Sequence, residues 1–381
     1  MAPHNEKVRV KLRRTVDHSY NIVIGRDLFD GIAVQLKEMR LADRYVLISD
    51  STVLKLHGNR LTEALRARGL KVDRIGFPAG ESSKTRKMKQ FLEEHMLGMG
   101  LARDTCVIAC GGGVTGDLAG FTAATYLRGV PWIQVPTTLL AMVDASIGGK
   151  TAVDVAEGKN LIGAFHQPAA VFIDVSALET LPRRHLVAGM AEVIKHAVIA
   201  DADFFKQLMA RADDVLEGDP AAQIAVIKRS CEIKAGVVEK DEKEADLRRI
   251  LNYGHTLGHA VEAASGYALL HGEAVSLGMA LEGALAVSQE IFSPADLERQ
   301  HALLKRVGLP IKASVVLRAL IGHQVRPRDI LEYTHFDKKK RLGLVEYALP
   351  VKIGQMKRLG KRVGIPFDDK VMIQFLRRVF H

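Results

Sequence analysis

The stretch Thr105-Cys-Val-Ile-Ala-Cys-Gly-Gly-Gly-Val-Thr-Gly116 decides the fold. Its first six residues carry no charge, and the run stops at three glycines. An apolar run of this kind, bounded by a turn signal, reads as a strand buried on both faces. The residues that follow, 114–128, read as a helix. Gly111, Gly113 and Gly116 satisfy G-x-G-x-x-G at this strand-to-helix junction. Glycines there let backbone amides approach a pyrophosphate, and the helix N-terminus favours its negative charge. Two features depart from the usual dinucleotide fingerprint: the motif comes late in the sheet, and no acid lies about twenty residues on. The competing explanation is a tight turn that needs glycine for positive φ. Three consecutive glycines exceed a turn's needs, so the segment reads as a phosphate cradle.

Outward from this stretch the pattern alternates. Arg44-Tyr-Val-Leu-Ile-Ser-Asp50 is a short apolar strand, 59–69 a helix, 72–77 a strand and 84–99 a longer helix. Trp132-Ile-Gln-Val135 leads into Pro136-Thr-Thr138, and Val171-Phe-Ile-Asp174 is a further strand. Apolar runs alternating with helices predict a parallel sheet covered on both faces. Ahead of it, 8–12 and 20–24 read as a strand pair. Asp50 ends its strand where a carboxylate suits a ribose diol, although an aspartate there is more often a turn former or helix cap. From Pro182 onward helical periodicity dominates, over 185–199, 202–212, 221–238, 243–264 and 273–288. The expected fold is α/β: a Rossmann-like parallel-sheet domain over 1–181, then an all-helical domain over 182–381.

The chain has 381 residues, of which 48% are hydrophobic and 26% charged, which excludes disorder as the main state. Cys106, Cys110 and Cys231 cannot make a disulfide framework, and the charged start lacks a signal-peptide pattern. A reducing, cytoplasmic compartment is expected. No uninterrupted apolar run reaches the about 18 residues a membrane span requires. Net charge is +10, and 336–381 holds twelve Lys/Arg against four Asp/Glu. A basic tail suggests nucleic acid. It carries no finger, zipper or RNA-motif signature, so we read it as solvated surface around an anionic small-molecule site, with no nucleic-acid partner.

The sharpest chemical signal lies in 243–264. Read as one helix, it puts Arg248, Asn252, His255 and His259 at i, i+4, i+7 and i+11, on one face. A polar face is usually just solvated; two histidines sharing it with Arg and Asn are better explained by a site. His271 opens the next helix, and Glu192 stands mid-helix among apolar neighbours. A carboxylate buried there is costly unless paired. A salt bridge to Lys195 at i+3 would suffice. The alternative is Glu192 plus two histidines around a divalent metal with an open position. Spacing does not choose between His255 and His259. Lys150, Lys159, Lys234, Arg248 and the Asp337-Lys-Lys339 run add cations, which suggest a strongly anionic substrate such as a sugar acid phosphate.

Six ordered motifs then carry a resemblance. They are Gly111-Gly-Gly-Val-Thr-Gly-Asp-Leu-Ala-Gly-Phe121, Val135-Pro-Thr-Thr-Leu-Leu140, Gly158-Lys-Asn-Leu-Ile-Gly163, Ala191-Glu-Val-Ile-Lys195, Asn252-Tyr-Gly-His-Thr-Leu-Gly-His259 and Leu270-His-Gly-Glu-Ala274. Over about 20–354 the chain resembles the 3-dehydroquinate synthase family of sugar phosphate cyclases. The resemblance implies an NAD-binding α/β domain, a helical metal- and substrate-binding domain, and an active site between them. It implies Glu192, His255 and His271 as ligands of zinc or cobalt. NAD would be held by Asp50, Gly80, Glu81, Lys84, Gly113, Val114, Thr115, Gly116, Asp117, Thr137, Thr138, Lys150, Lys159, Leu178 and Thr180. Substrate contacts would come from Asp144, Lys150, Asn160, Lys195, Lys234, Arg248, Asn252, His259 and Lys338 or Lys339. Arg128 resembles the arginine that this family contributes to the neighbouring subunit's site, which implies a homodimer.

The activity so implied is conversion of 3-deoxy-D-arabino-heptulosonate 7-phosphate into 3-dehydroquinate and phosphate, with NAD returned after each turnover. The chain departs from the family pattern at Gly80-Glu-Ser-Ser-Lys84, at Asp154 where Asn is usual, and at Leu257 where Phe is usual. Rival readings are a cyclase acting on sedoheptulose 7-phosphate or glucose 6-phosphate, a metal-dependent polyol dehydrogenase, and a basic nucleic-acid-binding module.

Overall fold

The computed structural model describes residues 17–322, 325–336, 340–341, 344–360 and 362–380. Its first half runs β1 (Asn21–Gly25), α1 (Phe29–Met39), β2 (Arg44–Asp50), α2 (Ser51–Val53), α3 (Asn59–Ala67), β3 (Val72–Phe77), α4 (Arg86–Gly98), β4 (Thr105–Gly111), α5 (Gly113–Thr125) and β5 (Trp132–Pro136). A hairpin of β6 (Lys150–Val155) and β7 (Gly158–Phe165) follows, then β8 (Ala170–Asp174). Six strands make one parallel sheet in the order β1-β8-β5-β4-β2-β3.

Strand alternation explains the layers. In β2, Tyr45 and Leu47 point to one face, where Ile32 and Leu36 of α1 and Leu61 and Leu65 of α3 cover them. Val46 and Ile48 point to the other, under Leu92 and Met96 of α4 and Leu118 and Ala123 of α5. Both faces are therefore apolar, which is why these strands read as unbroken hydrophobic runs. The chain leaves β2 toward β3 on one side and places β4 on the other. The sheet's connections thus reverse between β2 and β4, and such reversal points bind ligands at the strands' carboxyl ends. Asp50 and Gly111 end these two strands, so the late position of the glycine motif in the sequence is central in space.

Residues 8–12 lie outside the described residues, and β1 pairs in parallel with β8 from Asn21↔Ala170 to Gly25↔Asp174. The Asp174 carboxylate accepts from Asp27 N at 3.0 Å and Leu28 N at 2.8 Å, fixing the turn that leaves β1. The lysine-containing stretch 144–160, which shows little periodicity, folds as a π-helical turn (Ala141–Ala145) and the β6–β7 hairpin laid over α5.

The second half is helical: α6 (Arg183–Ala200), α7 (Ala202–Glu217), α8 (Pro220–Lys240), α9 (His255–Ala264), α10 (His271–Ser288), α11 (Pro294–Arg306), α12 (Ala313–Ile321) and α13 (Pro327–Phe336), with α14 (Asp369–Phe380) at the end. Before α14, the basic segment forms short antiparallel strands, which the sequence did not announce. They are β9 (Lys340–Arg341), β10 (Leu344–Ala348), β11 (Pro350–Lys352), β12 (Gln355–Met356) and β13 (Gly364–Phe367). Start and stop chemistry sets the helix ends. Gly218 (φ 92°) closes α7, Pro220 opens α8, and the Asp219 side chain accepts from Ala222 N at 2.6 Å.

The single helix expected over 243–264 is absent. Leu247–Asn252 forms a 3-10 turn, Gly254 takes a left-handed φ of 78°, and α9 starts only at His255. The cause is close packing of α9 on α10. A Cβ on Gly254 would lie 2.6 Å from Met279 Cγ, and one on Gly278 would lie 1.8 Å from Gly254 O. Arg248 and Asn252 therefore do not share a helical face with His255 and His259.

Candidate active site

The cradle forms where β4 meets α5. None of Gly111, Gly112 and Gly113 has a positive φ, so a strained turn does not explain them. Gly111 is needed for packing, since its Cβ would lie 2.3 Å from Thr115 Oγ1. Added Cβ atoms at Gly112 and Gly113 would reach only 3.2 Å from Thr138 and 3.5 Å from Ala145, filling the space before the helix N-terminus. Thr137, which follows β5, is buried, and its Oγ1 has no hydrogen-bond partner among the described residues. An open helix N-terminus beside an unpaired buried hydroxyl fits a phosphate-bearing cofactor.

Other expected cofactor residues ring this cradle. The Asp50 carboxylate accepts from Thr52 N at 2.9 Å and Val53 N at 3.0 Å, so it caps α2. Gly80 (φ 114°) turns the chain into the 3-10 turn Glu81–Ser83, which delivers Lys84. Buried Lys84 pairs with Asp117 of α5 at 2.5 Å and also donates to Asn160. Burial works against its charge, but Asp117 and Glu81 outweigh that and raise its pKa. Asn160, expected among the substrate contacts, thus stands with the Lys84 cluster, its N–H bonded to Asp154 at 2.8 Å. Lys159 pairs with Glu262 of α9 at 2.6 Å and lies over the Tyr267 ring. Leu178 and Thr180 sit on the 3-10 turn Val175–Thr180, and Thr180 Oγ1 lies 2.7 Å from His57 Nε2. His57 and Glu262 carried no sequence signal.

The second cluster centres on Glu192. α6 is buried along most of its length, so its i, i+3 pair Glu192 and Lys195 is enclosed and in contact. Glu192 Oε1 lies 3.6 Å from His255 Nε2 and 3.4 Å from His271 Nε2. Both Glu192 oxygens are buried without a hydrogen bond of proper geometry. Burial alone would raise the Glu192 pKa; Lys195 and the two histidines outweigh it and hold the carboxyl well below its ordinary range. Glu192, His255 and His271 converge closely enough to hold one ion, with the donor set of a catalytic zinc site. His259 groups instead with Glu262 and His271. Its ring meets His255 edge-on at 5.4 Å.

The third cluster lies beside the second. A π-helical turn presents Asp144, a device frequent at functional sites. Its Oδ1 takes Lys234 Nζ at 2.6 Å, with Lys195 Nζ at 4.0 Å and His196 Nε2 at 3.9 Å. His196, missed in the sequence, is fully buried against Ser230 Oγ at 2.6 Å; burial lowers its pKa to about 3. Arg248 is 2% exposed; its guanidinium donates to the Gly148 and Glu242 carbonyls and forms no ion pair among the described residues, while its backbone N–H donates to Asp241 Oδ2 at 3.0 Å. Gly148 must be glycine, because a Cβ would lie 2.3 Å from Arg248 Nη2. Lys150 pairs with Glu244, which also accepts from Asn252 Nδ2 at 2.8 Å. Lys338 and Lys339 lie outside the described residues. Arg128 is exposed and forms no ion pair or hydrogen bond among the described residues.

Residues 74–188 match the family model described as 3-dehydroquinate synthase N-terminal, and 189–340 the one described as 3-dehydroquinate synthase C-terminal. A 3-dehydroquinate synthase of Desulforamulus reducens is 47% identical over 89% of this chain and 93% of its own. One from a Nostoc species is 48% identical over 88% and 91%. Among solved structures, a 2-epi-5-epi-valiolone synthase from Streptomyces hygroscopicus, with NAD+ and Zn2+ bound, gives a TM-score of 0.85 at 30% identity, covering 98% of this chain and 99% of its own. A 2-deoxy-scyllo-inosose synthase complexed with carbaglucose-6-phosphate, NAD+ and Co2+ gives 0.82 at 27% identity, covering 94% and 96%.

Proposed function

Because the chain belongs to the 3-dehydroquinate synthase family, we propose that its cradle and its carboxylate–histidine centre together convert 3-deoxy-D-arabino-heptulosonate 7-phosphate into 3-dehydroquinate and phosphate. The chain is an NAD- and metal-dependent, phosphate-eliminating cyclase of the shikimate pathway. The observation that carries the site reading is Glu192, a buried carboxylate whose Oε1 faces two histidines from two other helices.

Glu192, His255 and His271 would hold the ion. The α5 N-terminus, Thr137 and the Lys84 loop would hold the dinucleotide. Bound there, NAD supplies a hydride acceptor that ends each turnover oxidised, and zinc or cobalt supplies Lewis acidity at a substrate hydroxyl. Lys150, Lys195, Lys234 and Arg248 hold the substrate's carboxylate and phosphate and so select the reactive conformers. Asp144 keeps the Lys234 ammonium in place at 2.6 Å, and Glu192 does so for Lys195. The same cations stabilise the charge that builds on the departing phosphate. His259 and Asn252 contact the substrate from the side of Glu244 and the metal position.

The test is phosphate release from this heptulosonate. Release should require NAD and stop with a chelator, and one NAD should support many turnovers without NADH accumulating. Stoichiometric NADH would indicate a dehydrogenase. Preferential release from sedoheptulose 7-phosphate or glucose 6-phosphate would indicate another cyclase.

The same proposal includes a homodimer in the cytoplasm. All three cysteines are free and buried, and no helix of the described residues is long and apolar enough to cross a membrane. Leu127 (φ 48°) and Arg128 (φ 71°) are successive non-glycine residues in left-handed conformation. Each costs about 1–2 kcal/mol, and such outliers cluster at functional sites. Tyr126 Oη to Leu101 O at 2.6 Å and Val130 N to Ala123 O at 2.9 Å anchor the turn that presents Arg128 outward. Mixing Arg128→Ala subunits with Lys195→Ala subunits should partly restore activity, since a hybrid dimer holds one intact site. No recovery despite proven subunit exchange would place Arg128 outside the neighbouring site.

A further inference from the structure

Glu282 is wholly buried on α10, about three turns beyond His271. Its Oε2 accepts from Gly254 N at 2.7 Å, and its Oε1 accepts from Leu257 N at 2.9 Å. These are the N-cap and N3 amides of α9, the helix that begins with His255. A helix ordinarily takes this cap from its own N-cap side chain, Ser, Thr, Asp or Asn. Position 254 cannot supply one. It must be glycine, because its φ is 78° and a Cβ would meet Met279 Cγ at 2.6 Å and Val275 O at 2.9 Å. The cap therefore comes from the neighbouring helix, from an acidic side chain in a place where burying one is costly unless it is bonded.

The geometry has one consequence for the site. His255 and Thr256 are the only residues between the two clamped amides. The clamp ties the start of α9 to α10, and α10 carries His271 as its first residue. The two rings stand 5.2 Å apart, both facing Glu192 Oε1. Tyr253, just before the clamp, is fixed as well: its hydroxyl donates toward Gln300 Oε1 at 2.8 Å.

We propose that Glu282 is a positioning residue of the metal centre, holding His255 at the separation from His271 and Glu192 that a divalent ion requires. The proposal rests on the reading of those three residues as the ligands. Neither the spacing of the histidines nor the ligand set itself implies Glu282.

The experiment uses the full chain and zinc, with affinity measured by competition against a chromophoric chelator. Glu282→Gln keeps the shape but places an NH2 against one amide. It should weaken zinc binding by about tenfold, and Glu282→Ala by up to about a hundredfold, the range for groups that orient metal ligands. NAD affinity, read by fluorescence titration, should stay within about twofold. Leu65→Ala, in the buried core between α3 and the sheet, serves as a variant that loses stability away from the clamp. Its folded form should bind zinc as the wild type does. If the Glu282 variants bind zinc as tightly as Leu65→Ala does at matched stability, the residue is a structural cap and the proposal fails. Should Glu282→Ala not fold, the near-isosteric Gln variant decides alone. His255→Ala is the reference: if it too leaves zinc affinity unchanged, the ligand reading is at fault, and not the positioning.

Discussion

Replacing His255 with alanine is expected to remove the bound metal and to lower turnover by roughly a thousandfold or more, since Lewis acidity contributes several kcal/mol and each decade of rate is about 1.4 kcal/mol. His255 Nε2 faces Glu192 Oε1 at 3.6 Å and His271 Nε2 faces it at 3.4 Å, while His196 groups with the same carboxylate on the Asp144 side. His259→Ala should behave differently. That ring lies 5.4 Å from His255 and groups with Glu262, so the variant should keep most of its metal while losing activity. Metal content after dialysis, measured by atomic absorption beside phosphate release, separates the two. Equal metal in wild type and His255→Ala would remove His255 from the ligand set.

Arg248→Gln should lower kcat/KM for the heptulosonate by about a hundred- to a thousandfold, the ~3–4 kcal/mol of a buried charge-assisted contact. A guanidinium that is 2% exposed and bonded only to carbonyls keeps its charge at a desolvation cost, and burial pulls its pKa down. Glu244, Asp144 and Asp241 act on it from farther off, and an incoming carboxylate supplies the direct ion pair that the described residues do not form. Arg248→Lys should not restore the activity, because an ammonium cannot keep both carbonyl bonds and grip a carboxylate in the same plane. NAD affinity should be unchanged in both variants. A loss of NAD binding, or a kcat/KM within about threefold of wild type, would show that Arg248 is structural.

How much of this was legible beforehand depends on the range of the interaction. The strands β2, β4, β5 and β8 were readable because burial on both faces leaves a local mark, an unbroken apolar run. The long helices of the second half were readable from their period, and their ends from residues such as Pro182, Gly218 and Pro220. The hairpin of β6 and β7 was not. Its residues serve an outer layer over α5 and a charged cluster, so neither period dominates. The helix drawn through 243–264 failed for a reason of the same kind. Period and propensity favoured continuity, and the contact that breaks it comes from Gly278 and Met279, some twenty-five residues later in the chain.

The sequence by itself determined the parallel sheet, the helical second half and the glycine cradle, because each rests on local composition or on spacing along one element; the candidate metal and anion residues came from their likeness to the family's motifs. Only the tertiary structure decided their relations. It set Glu192 against His255 and His271 and put His259 with Glu262, left the Arg248 guanidinium bonded to carbonyls, and bonded Lys84 to Asp117 and Asn160. It also capped α9 with Glu282. Each is a meeting of side chains from separate elements. Which of two equally spaced histidines turns inward is settled by how closely two backbones approach, and at α9 and α10 that approach is set by glycines that leave no trace in the spacing of the histidines.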